Sequence, residues 1–318
     1  PHTVRSVGMA MAMQGSGIGG VDVGSVQLKL NDDGFYTLML GCSDMGTGCD
    51  TILAQMAADG LGCDMDNIIV RGVDTDQSPY DSGSYASSTT YVTGGAVVKA
   101  CESMRKRICE EAAAIMGLKS GEVDFDGETI SENDNPEHSM TLSDLITSLE
   151  AGNGRIIEVT ESHTSPVSPP PFMAGAAEIE VDLETGKITP INYVAAVDCG
   201  TVINTNLARI QTEGGIVQGM GMTLYEDVQY TEAGKMKNRN FMSYKIPTRL
   251  DMGSISVEFE SSYEQTGPYG AKSIGEIVIN TPAPAIADAV YNATGLRFRT
   301  LPITAEQVMM GLLEREEA

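Results

Sequence analysis

Gly267-Pro268-Tyr269-Gly270-Ala271-Lys272-Ser273-Ile274-Gly275-Glu276 constrains this chain more than any other stretch. Its three glycines and one proline open turns that a loop of ordinary side chains could not take. It ends in a single carboxylate, Glu276, followed at once by Ile277-Val278-Ile279. An acid wedged between Gly275 and an apolar run is expected to be partly desolvated, the setting in which a carboxylate becomes a useful base. The plainer reading is a surface Glu on a loop that closes onto a strand.

Three other stretches are rich in glycine or hydroxyls. Gly15-Ser16-Gly17-Ile18-Gly19-Gly20 fits GxGxxG, but a dinucleotide fold needs a helix directly after it. Here Gly24 to Leu30 alternates as a strand, and Asn31-Asp32-Asp33-Gly34 turns it into Phe35-Tyr36-Thr37-Leu38. A flexible loop lining a cavity is the better expectation. Gly41 to Asp50 precedes a predicted helix over 51–59, with Asp50 as N-cap. Alternatively the Gly46-Thr47-Gly48 turn aims its amides at a phosphate or pterin, although Asp44 and Asp50 oppose an anion. After a strand at Ile68-Ile69-Val70 comes a run containing Ser84, Tyr85, Ala86, Ser87, Ser88 and Thr89, either a solvent loop or a cradle of amides and hydroxyls. The helix beyond it places Val97, Cys101, Met104, Ile108, Ala112 and Ile115 on one face and stops at Gly117.

Residues 119–165 are polar and acidic and read as a surface excursion with a short helix near Leu142–Leu149. Ser165-Pro166-Val167-Ser168-Pro169-Pro170-Pro171 is a stiff connector, so two lobes are expected, 1–165 and 166–318, in an α+β fold of mixed sheets and packed helices. The second lobe opens with a hairpin turning at Glu184-Thr185-Gly186-Lys187. Between Asn204 and Tyr225 the glycines are costly for a helix, roughly 1 kcal/mol each relative to alanine. They make sense where a backbone packs very close to something else, whether a second helix or a cofactor. A strand over 255–259, a helix over 283–293 stopped by Gly295, and a last helix over 304–313 complete the chain.

Composition excludes several classes. A formal net charge of −24 argues against nucleic acid and anionic membrane as partners, and it requires any phosphate-bearing cofactor to be held mainly by backbone amides. No apolar run approaches the ~20 residues of a membrane span, and Pro1-His2-Thr3-Val4-Arg5 has no signal-peptide pattern, so a cytoplasmic protein is expected. The six cysteines form no CxxC and the three histidines no HxxxH, so protein ligands to a metal are not expected. Cys101 and Cys109 read as buried, reduced thiols.

The motifs carry a resemblance. Gly270-Ala271-Lys272 with Gly275-Glu276, Pro282-Ala283-Pro284-Ala285-Ile286-Ala287-Asp288-Ala289, and Leu301-Pro302-Ile303-Thr304 resemble the C-terminal end of the molybdenum hydroxylases, the xanthine dehydrogenase and aldehyde oxidoreductase family. Asp44-Met45-Gly46-Thr47-Gly48 looks like that family's pterin-contacting turn, with Thr47 where Gln is usual. The 84–89 run resembles its second cofactor loop, with Ala86 at the small residue near the metal and Tyr85 where small residues are common. Asp198-Cys199-Gly200, Asn204, Gln211 and Gln218-Gly219-Met220-Gly221 resemble its third cofactor-binding stretch.

The resemblance implies molybdenum carried by molybdopterin, in the cytosine dinucleotide form. Glu276 would be the catalytic base, and Gly46, Thr47, Gly48, Ser84, Tyr85, Ala86, Ser87, Ser88, Thr89, Asn204, Gln211 and Ala271 would contact the cofactor. It covers only the C-terminal half of the family's molybdenum-binding region. A sister molybdopterin subunit, a [2Fe-2S] subunit and an FAD subunit are therefore expected, in an arrangement similar to nicotinate dehydrogenase with its medium molybdopterin subunit. The implied reaction inserts water-derived oxygen at an electron-poor carbon of a small heteroaromatic substrate, nicotinate to 6-hydroxynicotinate. The alternatives are purine, xanthine or aldehyde hydroxylation, or a non-catalytic scaffold subunit.

Overall fold

The computed structural model describes residues 2–316. In chain order the elements are β1 (Thr3–Met13), β2 (Gly24–Leu30), β3 (Tyr36–Leu40), α1 (Cys49–Leu61), β4 (Ile68–Arg71), α2 (Thr89–Met116), β5 (Val123–Phe125), β6 (Thr129–Glu132), β7 (Asn135–Thr141), α3 (Leu142–Asn153), β8 (Glu158–His163), β9 (Phe172–Asp182), β10 (Ile188–Asp198), α4 (Thr205–Leu224), β11 (Ser254–Phe259), α5 (Pro282–Thr294) and α6 (Ala305–Glu316). The mixture of helix and mixed sheet agrees with the α+β expectation. The chain divides into two units, neither of them one continuous segment. One comprises residues 16–169 and 263–273, the other residues 1–15, 170–262 and 274–318.

The 16–169 unit is built on a sheet of order β4-β3-β2-β8. Alternation turns Val26, Leu28 and Leu30 of β2 and Tyr36, Leu38 and Leu40 of β3 into the core, and α2 packs on β2 and β8. The predicted helical stripe is buried at Val97, Cys101, Met104, Ile108 and Ala112, but Ile115 is exposed. At this end of α2 the buried face rotates to Glu111, Ala112 and Ala113, with Glu111 paired to Arg107 and Arg155. Cys101 is buried as expected, Cys109 only half-buried, and all six cysteines are free.

Residues 119–165 are more than a surface excursion. They form a three-stranded sheet, β5-β6-β7, a helix α3 closed by a Thr141–Asp144 capping box, and β8, which pairs antiparallel with β2. The polar sequence of β8, Glu-Val-Thr-Glu-Ser-His, hid a strand at the sheet's edge. Segment 263–273 is fastened in this unit by Tyr269, whose hydroxyl donates to the Met56 carbonyl (3.0 Å), and by the Thr266 and Tyr91 hydroxyls (2.6 Å).

The 170–262 unit is built on a sheet of order β1-β9-β10-β11, antiparallel except for the β10–β11 pair. The β9–β10 hairpin forms as its turn residues require. Strand β1 escaped the sequence analysis because its polarity is inverted. Val7, Met9, Met11 and Met13 are exposed, whereas the small residues Gly8, Ala10 and Ala12 point inward. A Cβ at Gly8 would lie 2.2 Å from the Ala285 carbonyl oxygen, so glycine there lets α5 rest directly on the strand. Ile277–Ile279 is a 3-10 turn and not the expected strand. The core gathers Ile179, Val181, Tyr193, Val197, Ile277 and Ile286.

Candidate active site

Glu276 immediately precedes that 3-10 turn (φ −108°, ψ −23°). Ile277 and Val278 are 0% and 1% exposed, which anchors the backbone and turns the acid the other way. Glu276 is therefore exposed on this chain, and the expected partial desolvation is not found: the apolar run buries itself and leaves its neighbour outside. The carboxylate is nevertheless held, with Gln14 Nε2 donating to its Oε2 over 2.5 Å.

Helix α4 supports the same turn. A Cβ at Gly215 would lie 2.3 Å from Val278 Cγ2, and one at Gly219 would lie 2.8 Å from Pro282 Cγ. These two glycines serve close packing behind Glu276, which explains their cost to the helix. Asn204 caps α4 by accepting from the Leu207 amide (3.1 Å), and Gln211 is half-buried on the second turn. Thus the 170–262 unit brings Asn204, Gln211 and Glu276 onto two packed elements. A cavity of about 590 Å³ adjoins α4, lined by Ile210, Glu213, Gly214 and Val217 with Arg249 and Met252.

In the 16–169 unit, Gly48 (φ 79°) and not Asp50 is the N-cap of α1, which starts two residues earlier than predicted. The amides of the turn do not face outward. Those of Gly46 and Gly48 donate to Asp44 Oδ1 (2.8 and 3.2 Å), and that of Asp50 to Oδ2 (3.2 Å). Burial alone would raise the Asp44 carboxyl, but these bonds outweigh it and hold the group below its usual range. The turn is an anion nest whose amides at Gly46, Gly48 and Asp50 are engaged by its own aspartate. What it presents outward are Met45 and Thr47. Burial, and then the Asp44 charge, push Asp50 up. At the two ends of the turn a hydrogen bond between Cys42 and Cys49 lowers the Cys49 thiol and raises that of Cys42. Asp44, Cys49 and Asp50 place one ligand atom each within 4.8 Å of one another, but the amides already occupy Asp44.

The second loop lies against the first, with Ser84 Oγ donating to the Ser43 carbonyl (3.2 Å). Ala86 and Ser87 both adopt left-handed backbone, φ 51° and 56°, a conformation costly for residues with a Cβ and concentrated at functional sites. Ser88 does not cap α2; its hydroxyl turns to the Gly83 carbonyl (3.3 Å). With no acid in its first turn, the 28-residue α2 offers a helix N-terminus flanked by Ser87, Thr89 and Thr90, a donor set that fits an anionic cofactor. The Tyr85 ring is drawn aside by its hydroxyl, which donates to Asp22 Oδ1 (2.5 Å). Ala271 is fully buried, so it packs inside this unit. Gln14 and Asp22 were both missed in the sequence. Gln14 could have been found by extending the inward Gly8, Ala10, Ala12 alternation by one step; Asp22 carried no signal.

Residues 2–253 match the family described as "Molybdopterin cofactor-binding domain". The chain is also 33% identical over 310 residues to the "Probable hypoxanthine oxidase XdhD" of Escherichia coli K12, covering 96% of this chain and 32% of that protein. The chain belongs to the molybdenum hydroxylase family. This molybdenum hydroxylase chain is 28% identical over 321 residues to the "Nicotine 6-hydroxylase large subunit" of Paenarthrobacter nicotinovorans, covering 96% of itself and 38% of the relative. Its fold matches quinoline 2-oxidoreductase from Pseudomonas putida 86 with a TM-score of 0.88 at 24% identity, over 98% of this chain and 42% of that one. It thus spans about a third of the length of these curated relatives. No described helix is long and apolar enough to cross a membrane.

Proposed function

We propose that this chain is the molybdopterin-binding subunit of a multi-subunit hydroxylase in which Glu276 is the catalytic base. The observation that carries the assignment is a carboxylate displayed on the surface yet fixed, by the buried Ile277 and Val278 on one side and by Gln14 on the other. An acid held this firmly toward the outside suits work on a group that lies beyond the chain's own core. When bound, molybdopterin supplies the two-electron acceptor, and water supplies the oxygen delivered to the substrate.

This chain's residues divide the remaining work. The α2 N-terminus, with Ser84, Ala86, Ser87 and Thr89, holds anionic oxygens of the cofactor. The cofactor also passes Thr47 and Gln211, in the cytosine dinucleotide form. Glu276 takes up the proton released as oxygen is delivered, with Gln14 engaging its Oε2. Such acid–base assistance contributes roughly 10²–10⁴ in rate. A sister molybdopterin subunit completes the site, and [2Fe-2S] and FAD subunits carry the electrons away.

The substrate assigned is an N-heteroaromatic ring attacked at an electron-poor carbon, nicotinate giving 6-hydroxynicotinate. Its support is that the names of the two curated relatives above, a hypoxanthine oxidase and a nicotine 6-hydroxylase, refer to nitrogen heterocycles. The hypoxanthine in one of those names makes purine hydroxylation the second reading. The test is Glu276→Gln in the assembled complex, assayed with nicotinate and hypoxanthine in ¹⁸O-water. Molybdenum and pterin content should stay at the wild-type level while turnover disappears; near-normal turnover refutes the base assignment. Wild-type activity on hypoxanthine but not nicotinate selects the second reading.

A further inference from the structure

We infer that Gln14 is the positioning residue of the active site, setting the direction in which Glu276 presents its carboxylate. The inference rests on the proposed role of Glu276 and adds to it a residue 262 positions away in sequence that belongs to the same unit.

The geometry follows from the β1 pattern. Successive side chains of a strand alternate between faces, and on β1 the inward positions are Gly8, Ala10 and Ala12. Gly8 lies so close to α5 that a Cβ there would sit 2.2 Å from both the Ala285 oxygen and the Ala289 nitrogen. Asn292 Nδ2 donates to the Val7 carbonyl (2.8 Å), Ser6 Oγ to the Ala289 carbonyl (2.7 Å), and the Met9 amide to Asp288 Oδ2 (3.3 Å). Strand and helix are therefore held in register over Ser6 to Met9. Gln14 is the next inward position after Ala12. Its backbone amide is fixed by the Pro171 carbonyl (3.2 Å). Its side chain reaches the residue that precedes the turn leading into α5, which is Glu276.

Both ends of the contact are thus anchored by rigid backbone. An exposed side chain has several staggered rotamers open to it. One charge-assisted hydrogen bond from an amide selects among them. A long, neutral donor is well matched to this role, because it directs the oxygen without neutralising the charge that makes the group a base. Asparagine, one methylene shorter, would fall short of it from the same backbone position.

The experiment uses the assembled, cofactor-loaded complex carrying Gln14→Leu, Gln14→His or Glu276→Gln. Histidine Nε2 occupies nearly the position of glutamine Nε2 and keeps an N–H there. For Gln14→Leu the expected result is kcat lower by ~10–100-fold, the range for a misdirected catalytic group, with KM and molybdenum content within about twofold of wild type. A crystal structure of that complex, loaded or not, should show the Glu276 side chain spread over more than one rotamer. Gln14→His should recover most of kcat and a single rotamer. A Gln14→Leu complex with unchanged kcat and a single Glu276 rotamer overturns the inference, as does loss of molybdenum from that variant, which would make the role structural. Turnover retained by Glu276→Gln defeats the base assignment by itself. An inactive Glu276→Gln beside a fully active Gln14→Leu defeats only the positioning role.

Discussion

The Tyr85 hydroxyl donates to Asp22 Oδ1 over 2.5 Å, although the two residues are 63 positions apart. Asp22 is 1% exposed, and its Oδ2 has no hydrogen-bond partner. A buried carboxylate with so few partners is costly unless the bonds it makes are good ones. Tyr85 therefore has a structural function, tying the strained Ala86–Ser87 backbone to the 18–22 turn.

Tyr85→Phe should loosen that loop without unfolding the unit. Amide exchange over residues 83–88 is expected to accelerate by roughly five- to tenfold, the effect of losing about one hydrogen bond from a local opening equilibrium, while α2 beyond its first turn keeps its protection. Unchanged exchange in the loop would show that Asp22 does not hold it.

Gly215→Ala should destabilise the protein by about 1–3 kcal/mol, the usual cost of overpacking, because its new methyl meets the stiff, buried Val278 side chain at 2.3 Å. Val278→Ala removes the atom it strikes. The double variant should be more stable than the sum of the two single losses allows, by a coupling of about 1 kcal/mol or more, measured from urea unfolding midpoints. Strict additivity would mean that α4 does not press on the turn behind Glu276.

Asp44 gives a pH signature. Its carboxyl is held below the ordinary 3.8 by backbone amides that outweigh its burial. The stabilisation this provides is complete above the unfolded-state value and is lost as pH falls through the folded one. The stability difference between wild type and Asp44→Asn should therefore be constant above about pH 5 and shrink steadily below about pH 4. Denaturant titrations at several pH values measure it. A gap that does not begin to shrink once the pH is below the unfolded-state value, or one that opens only there, contradicts the nest.

Much of the secondary structure could be read locally. The β2–β3 and β9–β10 hairpins announce themselves by alternation and by turn residues, and α2 and α5 by their period and by Gly117 and Gly295, both left-handed at the helix ends. Strand β1 could not, because methionine and valine face outward and glycine and alanine inward, the reverse of what alternation normally means. Strand β8 failed for a related reason, since an edge strand needs few apolar residues. At the site, the Gly46 and Gly48 amides donate to Asp44, an acceptor that sequence reasoning did not name. Whether an amide meets a ligand or a nearby Asp44 depends on a fold of seven residues that composition does not specify.

The sequence alone determined the repeating elements, the stops between them and the family motifs, because period, propensity and turn chemistry act over a few neighbouring residues. Only the tertiary structure decided what those motifs touch. Gln14 meets Glu276 across 262 residues, and the stretch from Gly267 to Glu276 is shared by two units, changing from one to the other between Ser273 and Ile274. Such contacts depend on which surfaces close over which core, and that choice is made by packing summed over the whole chain.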